Sequence, residues 1–241
     1  MIDFTAWDQL LKRYANDQGQ VNYQAWQQES STTLLRWIRK TQAVLNQEHR
    51  NGAIATDNLQ DDIQLATWIN LYNALTIAQV LKHYPTQSIQ PKILGITNWV
   101  GFLCFFMKPV YWFNHQSLSL NDIEHNILRK QFRDPRIHFA LVCASQGCPL
   151  LRPEAYVPER VQTQLEEDAT RFINHPDKVR YDPQQHVLYC SKIFKWYRQD
   201  FLITSADIPN YVQRYWTGSE LSTVKTVRYL SYDWALNQQD D

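Results

Sequence analysis

LATWINLYNALTIAQVL, residues 65–81, is apolar almost all round apart from Asn70 and Asn73. A helix with that pattern offers no face to water, so it belongs at the centre of a fold. It sits in a helical stretch of about Leu59 to His83, which Pro85 stops. Its two buried amides must find hydrogen-bond partners. Asn73 is expected to hold a neighbouring loop's backbone. Asn70 either does the same or contacts substrate.

Working outward, Phe4, Trp7, Leu10, Leu11 and Tyr14 recur at helical spacing and predict a helix over 3–16. Thr33–His49 gives a second helical pattern, and NGAIATDN breaks it before the central helix. VYWFNHQSLSL predicts two strands around Asn114-His115-Gln116, and KVRYDPQQHVLYCS predicts another hairpin. SLNDIEHNILRKQF is a short helix, with Ser119 or Asn121 as its N-cap. IHFALVC is predicted to be a central strand, PERVQTQLEEDATRFINH a surface helix, and VKTVRYLSYDWALN a last strand and tail. Helices and strands intermingle without βαβ alternation, repeats or linkers. The expectation is one helix-rich α+β domain over residues 1–241 with a small, mainly antiparallel sheet.

Composition bounds the function classes. The 241 residues carry 24 basic and 24 acidic side chains, so no overall pull toward nucleic acid or anionic membrane is implied. No apolar run reaches the roughly 20 residues that span a bilayer. The start, MIDFTAWDQLLKRYA, lacks a basic region followed by an apolar one, so no secretory signal is inferred and a cytoplasmic location is expected. In that compartment Cys104, Cys143, Cys148 and Cys190 are expected as reduced thiols, with stable disulfides disfavoured.

Two of those thiols sit in HFALVCASQGCPLL, residues 138–151. They could be a redox pair, half a metal site, a nucleophile with a structural neighbour, or packing. Cys148 stands in a glycine-containing turn ahead of Pro149, where free backbone N–H groups can stabilise a thiolate and then an oxyanion. Cys143, at the strand end, reads as apolar packing. A thiol nucleophile needs a histidine and a group to orient it. Five steps of extended strand, about 17 Å, separate His138 from Cys143, and the odd count puts them on opposite faces. The helix bearing Glu124 and His125 runs away and the strand returns, so His125 is placed nearer the cysteines. Zinc would need a second Cys/His pair, which the sequence does not offer, so no metal and no cofactor is expected. Strand, Cys, loop, Cys-Pro has a thioredoxin-like look, with four intervening residues where that motif has two. Arg136 is either a salt-bridge anchor or a clamp for a substrate carboxylate.

TWINLYNAL, SLNDIEHNILR, DPRIHFALVCASQGCPLL, LYCSKIFKWYRQDF and YLSYDWALN occur in that order. Together, over about Trp68 to Asn237, they resemble the family called domain of unknown function 547, found in bacteria and plants. The resemblance implies a Glu-His-Cys, cysteine-hydrolase-like arrangement. Its acid falls on Glu124, its histidine on His125 or His138, and its nucleophile on Cys143 or Cys148. Asp200 or Asp233 could replace Glu124, and Ser191 also falls in a family motif.

The leading expectation is a hydrolase of amide or peptide bonds acting on a peptide or small amide. Cys148 attacks, His125 moves the proton, Glu124 supports the histidine, and loop N–H groups before Pro149 hold the oxyanion. The alternatives are a protein-binding scaffold, and a thiol redox protein using Cys143 and Cys148. The sequence leaves the oligomeric state open.

Overall fold

The computed structural model describes residues 2–50, 58–90, 92–93, 96–97 and 99–239. Three helices lead: α1 (Thr5–Tyr14), α2 (Tyr23–Arg50) and α3 (Asn58–His83). The NGAIATDN break lies largely outside the described residues. Helix α2 starts ten residues before the predicted Thr33, because Tyr23, Trp26 and Ser30 turn inward among polar neighbours and extend the buried stripe. As its pattern requires, α3 is buried from Leu65 to Ile77. Around it α1 and α2 close a core in which the Trp7 ring lies 6.0 Å from Trp26 and 5.6 Å from Trp37.

Short pieces follow: β1 (Lys92–Ile93), β2 (Ile96–Thr97), α4 (Trp99–Met107), and the predicted hairpin β3 (Tyr111–Phe113) with β4 (Gln116–Leu118). Asn114 and His115 both take positive φ, the pair of left-handed residues a two-residue hairpin turn demands. Helix α5 (Leu120–Asp122), a π-helical segment (Ile123–Leu128) and α6 (Arg129–Phe132) then run on without a break. Ser119 is the N-cap, in a reciprocal capping box with Asp122.

The expected strand at IHFALVC is not there. Pro135–Phe139 forms a 3₁₀ turn capped by the Asp134 carboxylate, and residues 141–143 run on without strand pairing. Asp-Pro is a helix-start signal, and a short apolar run does not by itself separate helix from strand.

Helix α7 (Val161–Ile173) packs on this turn. Strands β5 (Val179–Asp182), β6 (Val187–Cys190) and β7 (Thr226–Tyr229) make a three-stranded sheet. β5 and β6 pair antiparallel, with Val179 opposite Cys190, while β6 and β7 run parallel, with Val187 opposite Thr226. Between β6 and β7 lie α8 (Ile193–Trp196), α9 (Arg198–Phe201) and α10 (Ile208–Gln213). These elements enclose a second core of rings, Phe139, Phe172, Phe194, Phe201 and Tyr211. The architecture is helix-rich α+β with small sheets, and among the described residues no helix is long and apolar enough to cross a membrane.

The chain crosses between the two cores at residues 139–144. Phe139 belongs to the second, and Ala140 to Val142 and Ala144 to the first. The last residues lace the seam shut, bridging Ala235 to Ser88, Leu236 to Ser145 and Gln238 to Val21.

Candidate active site

The cysteine loop is positioned from both sides. The Asn73 amide donates to the Ala140 carbonyl and accepts the Val142 N–H, each at 3.0 Å, so α3 fixes the backbone just before Cys143. Ala144 follows at φ 63°, a left-handed conformation that is strained for a residue with a Cβ and tends to persist at functional sites. The tail then takes up the loop's donors. The Gln146 N–H goes to the Ala235 carbonyl and the Gly147 N–H to the Asp233 carbonyl, both at 2.8 Å, and the Cys148 N–H to the Ser145 carbonyl at 3.1 Å. A Cβ on Gly147 would sit 2.8 Å from the Asp233 carbonyl and the Tyr232 ring, so only glycine lets the tail approach this closely. The loop N–H groups expected to hold an oxyanion are therefore engaged.

Cys143 and Cys148 are joined in a disulfide across a Cα–Cα distance of 6.1 Å, which corrects the expectation of reduced thiols. That expectation rested on compartment, whereas the turn folds the two side chains together. The Cys143 N–H donates to Cys148 Sγ at 2.8 Å, and the Tyr232 hydroxyl lies 3.3 Å from each sulfur. The Ser145 hydroxyl is 3.1 Å from Cys143 Sγ. Cys148, expected as the exposed thiol, is only 2% exposed, and Cys143 is the more open of the two.

A charged ladder stands beside the pair. In the π segment, Glu124 is buried and accepts the Tyr72 hydroxyl at 3.2 Å. His125 Nδ1 lies 2.6 Å from Arg129 Nη1, and since a guanidinium only donates, Nδ1 is the acceptor and the proton sits on Nε2. Arg129 also grips Asp200 in a fork, Nε to Oδ2 at 2.6 Å and Nη2 to Oδ1 at 2.8 Å. His138 Nε2 meets Asp200 Oδ2 at 2.7 Å, and its ring stacks on Tyr197 at 3.9 Å between centroids. Burial pushes the His138 pKa below its usual value, with Asp200 opposing the shift. Burial would raise Asp200, but the hydrogen bonds from His138 and Arg129 outweigh it and hold the carboxyl well below the usual range. At neutral pH the pair is thus a neutral imidazole donating to an ionised carboxylate.

One cavity of about 550 Å³ gathers Glu124, His125, His138, Cys143 and Cys148. The 3₁₀ turn explains why His138 and Cys143 share it, since strand alternation does not apply there. Among the described residues no histidine hydrogen-bonds either sulfur, and Glu124 bonds Tyr72 rather than His125. The two expected substrate contacts stand elsewhere. Asn70, 1% exposed, accepts from Trp7 Nε1 and the Tyr156 N–H and donates to the Tyr156 carbonyl. Arg136 is held by Asp134 and Glu166. Asp233, by its carbonyl, anchors Gly147, and the Ser191 hydroxyl accepts the Ile193 N–H at the start of α8. No group of three or more His, Cys, Asp or Glu among the described residues is arranged to hold a metal. Reading the sequence missed Arg129, Tyr72, Tyr197 and Tyr232. Of these only Arg129 carried a local signal, its i,i+4 spacing from His125.

Fold and site together define a helix-rich α+β protein whose two cores meet at a cavity holding a cysteine pair and an Asp-held histidine. Residues 56–173, just under half of the chain, match the family described as Protein of unknown function, DUF547. The match takes in α3, Glu124, both histidines and both cysteines, and stops short of Asp200 and Tyr232. No curated protein and no solved structure matches the chain.

Proposed function

We propose that the protein is a cysteine-dependent hydrolase of amide or peptide bonds, active once Cys143 and Cys148 are reduced. The observation that carries this reading is a buried His138, hydrogen-bonded to Asp200, lining the same cavity as both sulfurs. Cys143, the more open thiol, attacks the carbonyl carbon while its proton passes to the Nδ1 of His138. The Tyr232 hydroxyl, already beside both sulfurs, donates to the oxyanion. His138 returns the proton to the departing amine, and water then hydrolyses the thioester. The test is release of 4-nitroaniline from acyl 4-nitroanilides by protein treated with dithiothreitol. Activity should vanish in Cys143→Ser and survive in Cys148→Ser. Loss of nothing in Cys143→Ser overturns the reading.

The disulfide itself favours a second reading, a thiol–disulfide exchanger. An incoming thiolate would attack the Cys143 sulfur, and Cys148 would leave as a thiolate met by the Cys143 N–H. In that case Cys148→Ser abolishes disulfide reduction as completely as Cys143→Ser does, which separates the two chemistries.

A further inference from the structure

The cavity has two unlike sides. Its polar groups, Glu124, His125, His138 and Lys192, share it with a wall formed by Phe102, Leu103, Phe106 and Met107 of α4 together with Trp196 and Trp234. Among the described residues the large exposed apolar side chains are Leu35, Leu103, Met107, Trp112, Trp196 and Ile203. Three of these, Leu103, Met107 and Trp196, border this one cavity at 51%, 59% and 47% exposure. Apolar surface concentrated at the mouth of a cavity containing nucleophile and base marks a binding face rather than random exposure. A volume of about 550 Å³ holds a small molecule or one or two side chains with their backbone. None of those six side chains carries a charge, so this wall itself offers a charged group no ion-pair partner.

From this we infer that the site takes acyl or amide compounds carrying a bulky, uncharged aromatic or aliphatic group, which lies against α4 and Trp196. This rests on the hydrolase reading and names its substrate class. Leu103 and Met107 are half exposed, so replacing them leaves the cores intact, while the mouth changes from apolar to charged.

The experiment uses full-length, reduced protein and two alkylating probes, 2-chloroacetamide and N-phenethyl-2-chloroacetamide. In each the Cys143 thiolate forms an S–C bond and chloride leaves. Labelling of Cys143 is followed by mass spectrometry, and each rate is divided by that probe's rate with glutathione. The phenethyl probe is expected to be favoured by about tenfold, the gain from burying part of an aromatic group. Leu103→Glu and Met107→Glu should remove most of that preference, read as the ratio of the two probes' normalised rates in each variant. Equal normalised rates for the two probes, or a preference indifferent to both substitutions, overturn the inference while the hydrolase reading stands. Failure of both probes to label Cys143 overturns the two together.

Discussion

Asp200→Asn tests the ladder that holds His138. Asp200 accepts from Arg129 at 2.6 and 2.8 Å and from His138 at 2.7 Å, with its side chain 19% exposed and that of Arg129 28% exposed. Asparagine keeps the shape but loses the charge, and it replaces one acceptor with an amide that faces existing donors. Breaking a fully buried pair costs about 3–5 kcal/mol, and partial exposure of this one lowers the expectation to about 2 kcal/mol. Urea unfolding at pH 7 measures it. The sign with pH follows from the lowered carboxyl of Asp200. Its stabilisation is fully present above the ordinary carboxylate range and is lost as pH falls below it through the folded value. The gap between wild type and Asp200→Asn should therefore be widest near neutrality and narrow below about pH 4. The imidazole shifts of His138 supply a second readout. Asp200 supports its protonated form, so the substitution should lower its titration midpoint further. A loss under about 0.5 kcal/mol at pH 7, or a gap unchanged into strong acid, would refute the ladder.

Thiol counting checks the disulfide: native protein should expose Cys104 promptly to a thiol reagent and keep Cys190 hidden, and Cys143 and Cys148 should react only after reduction. Asn73→Ala should cost about 2–3 kcal/mol in urea unfolding, because it strips partners from the buried Ala140 carbonyl and Val142 N–H, and it should also slow labelling of Cys143. Lys178, 6% exposed, donates to the Gln146 carbonyl, and burial pushes its pKa down to about 8 against the pull of Asp177 and Asp233. The unfolded chain then binds the extra proton, so stability relative to Lys178→Met should rise by about 3 kcal/mol from pH 8 to above 10, and a flat difference would contradict it.

The central helix was legible because its composition leaves no solvent face, and the hairpin at Asn114-His115 because its turn chemistry is local. The helix-start signal at Asp134-Pro135 was also present in the sequence, but the apolar run after it outweighed it and gave a strand. That error carried into the site. Strand alternation put His138 and Cys143 on opposite faces and favoured His125 over it, whereas the 3₁₀ turn brings His138 into the cavity with the cysteines. The site set of Glu124, His125, His138, Cys143 and Cys148 was named from residue type and family motif, and all five line one cavity. Their partners were harder to find. Asp200 is 62 residues from His138 and Tyr232 is 84 from Cys148, separations that no helical or strand period encodes.

The most direct test is the rate at which 2-chloroacetamide labels Cys143 in reduced protein at pH 7, with the exposed Cys104 of the same chain as internal standard. A thiol served by an Asp-held histidine should react about tenfold faster than Cys104, and His138→Gln should bring the two rates together. Equal rates in the wild type, or a Cys143 advantage that survives His138→Gln, would contradict the account.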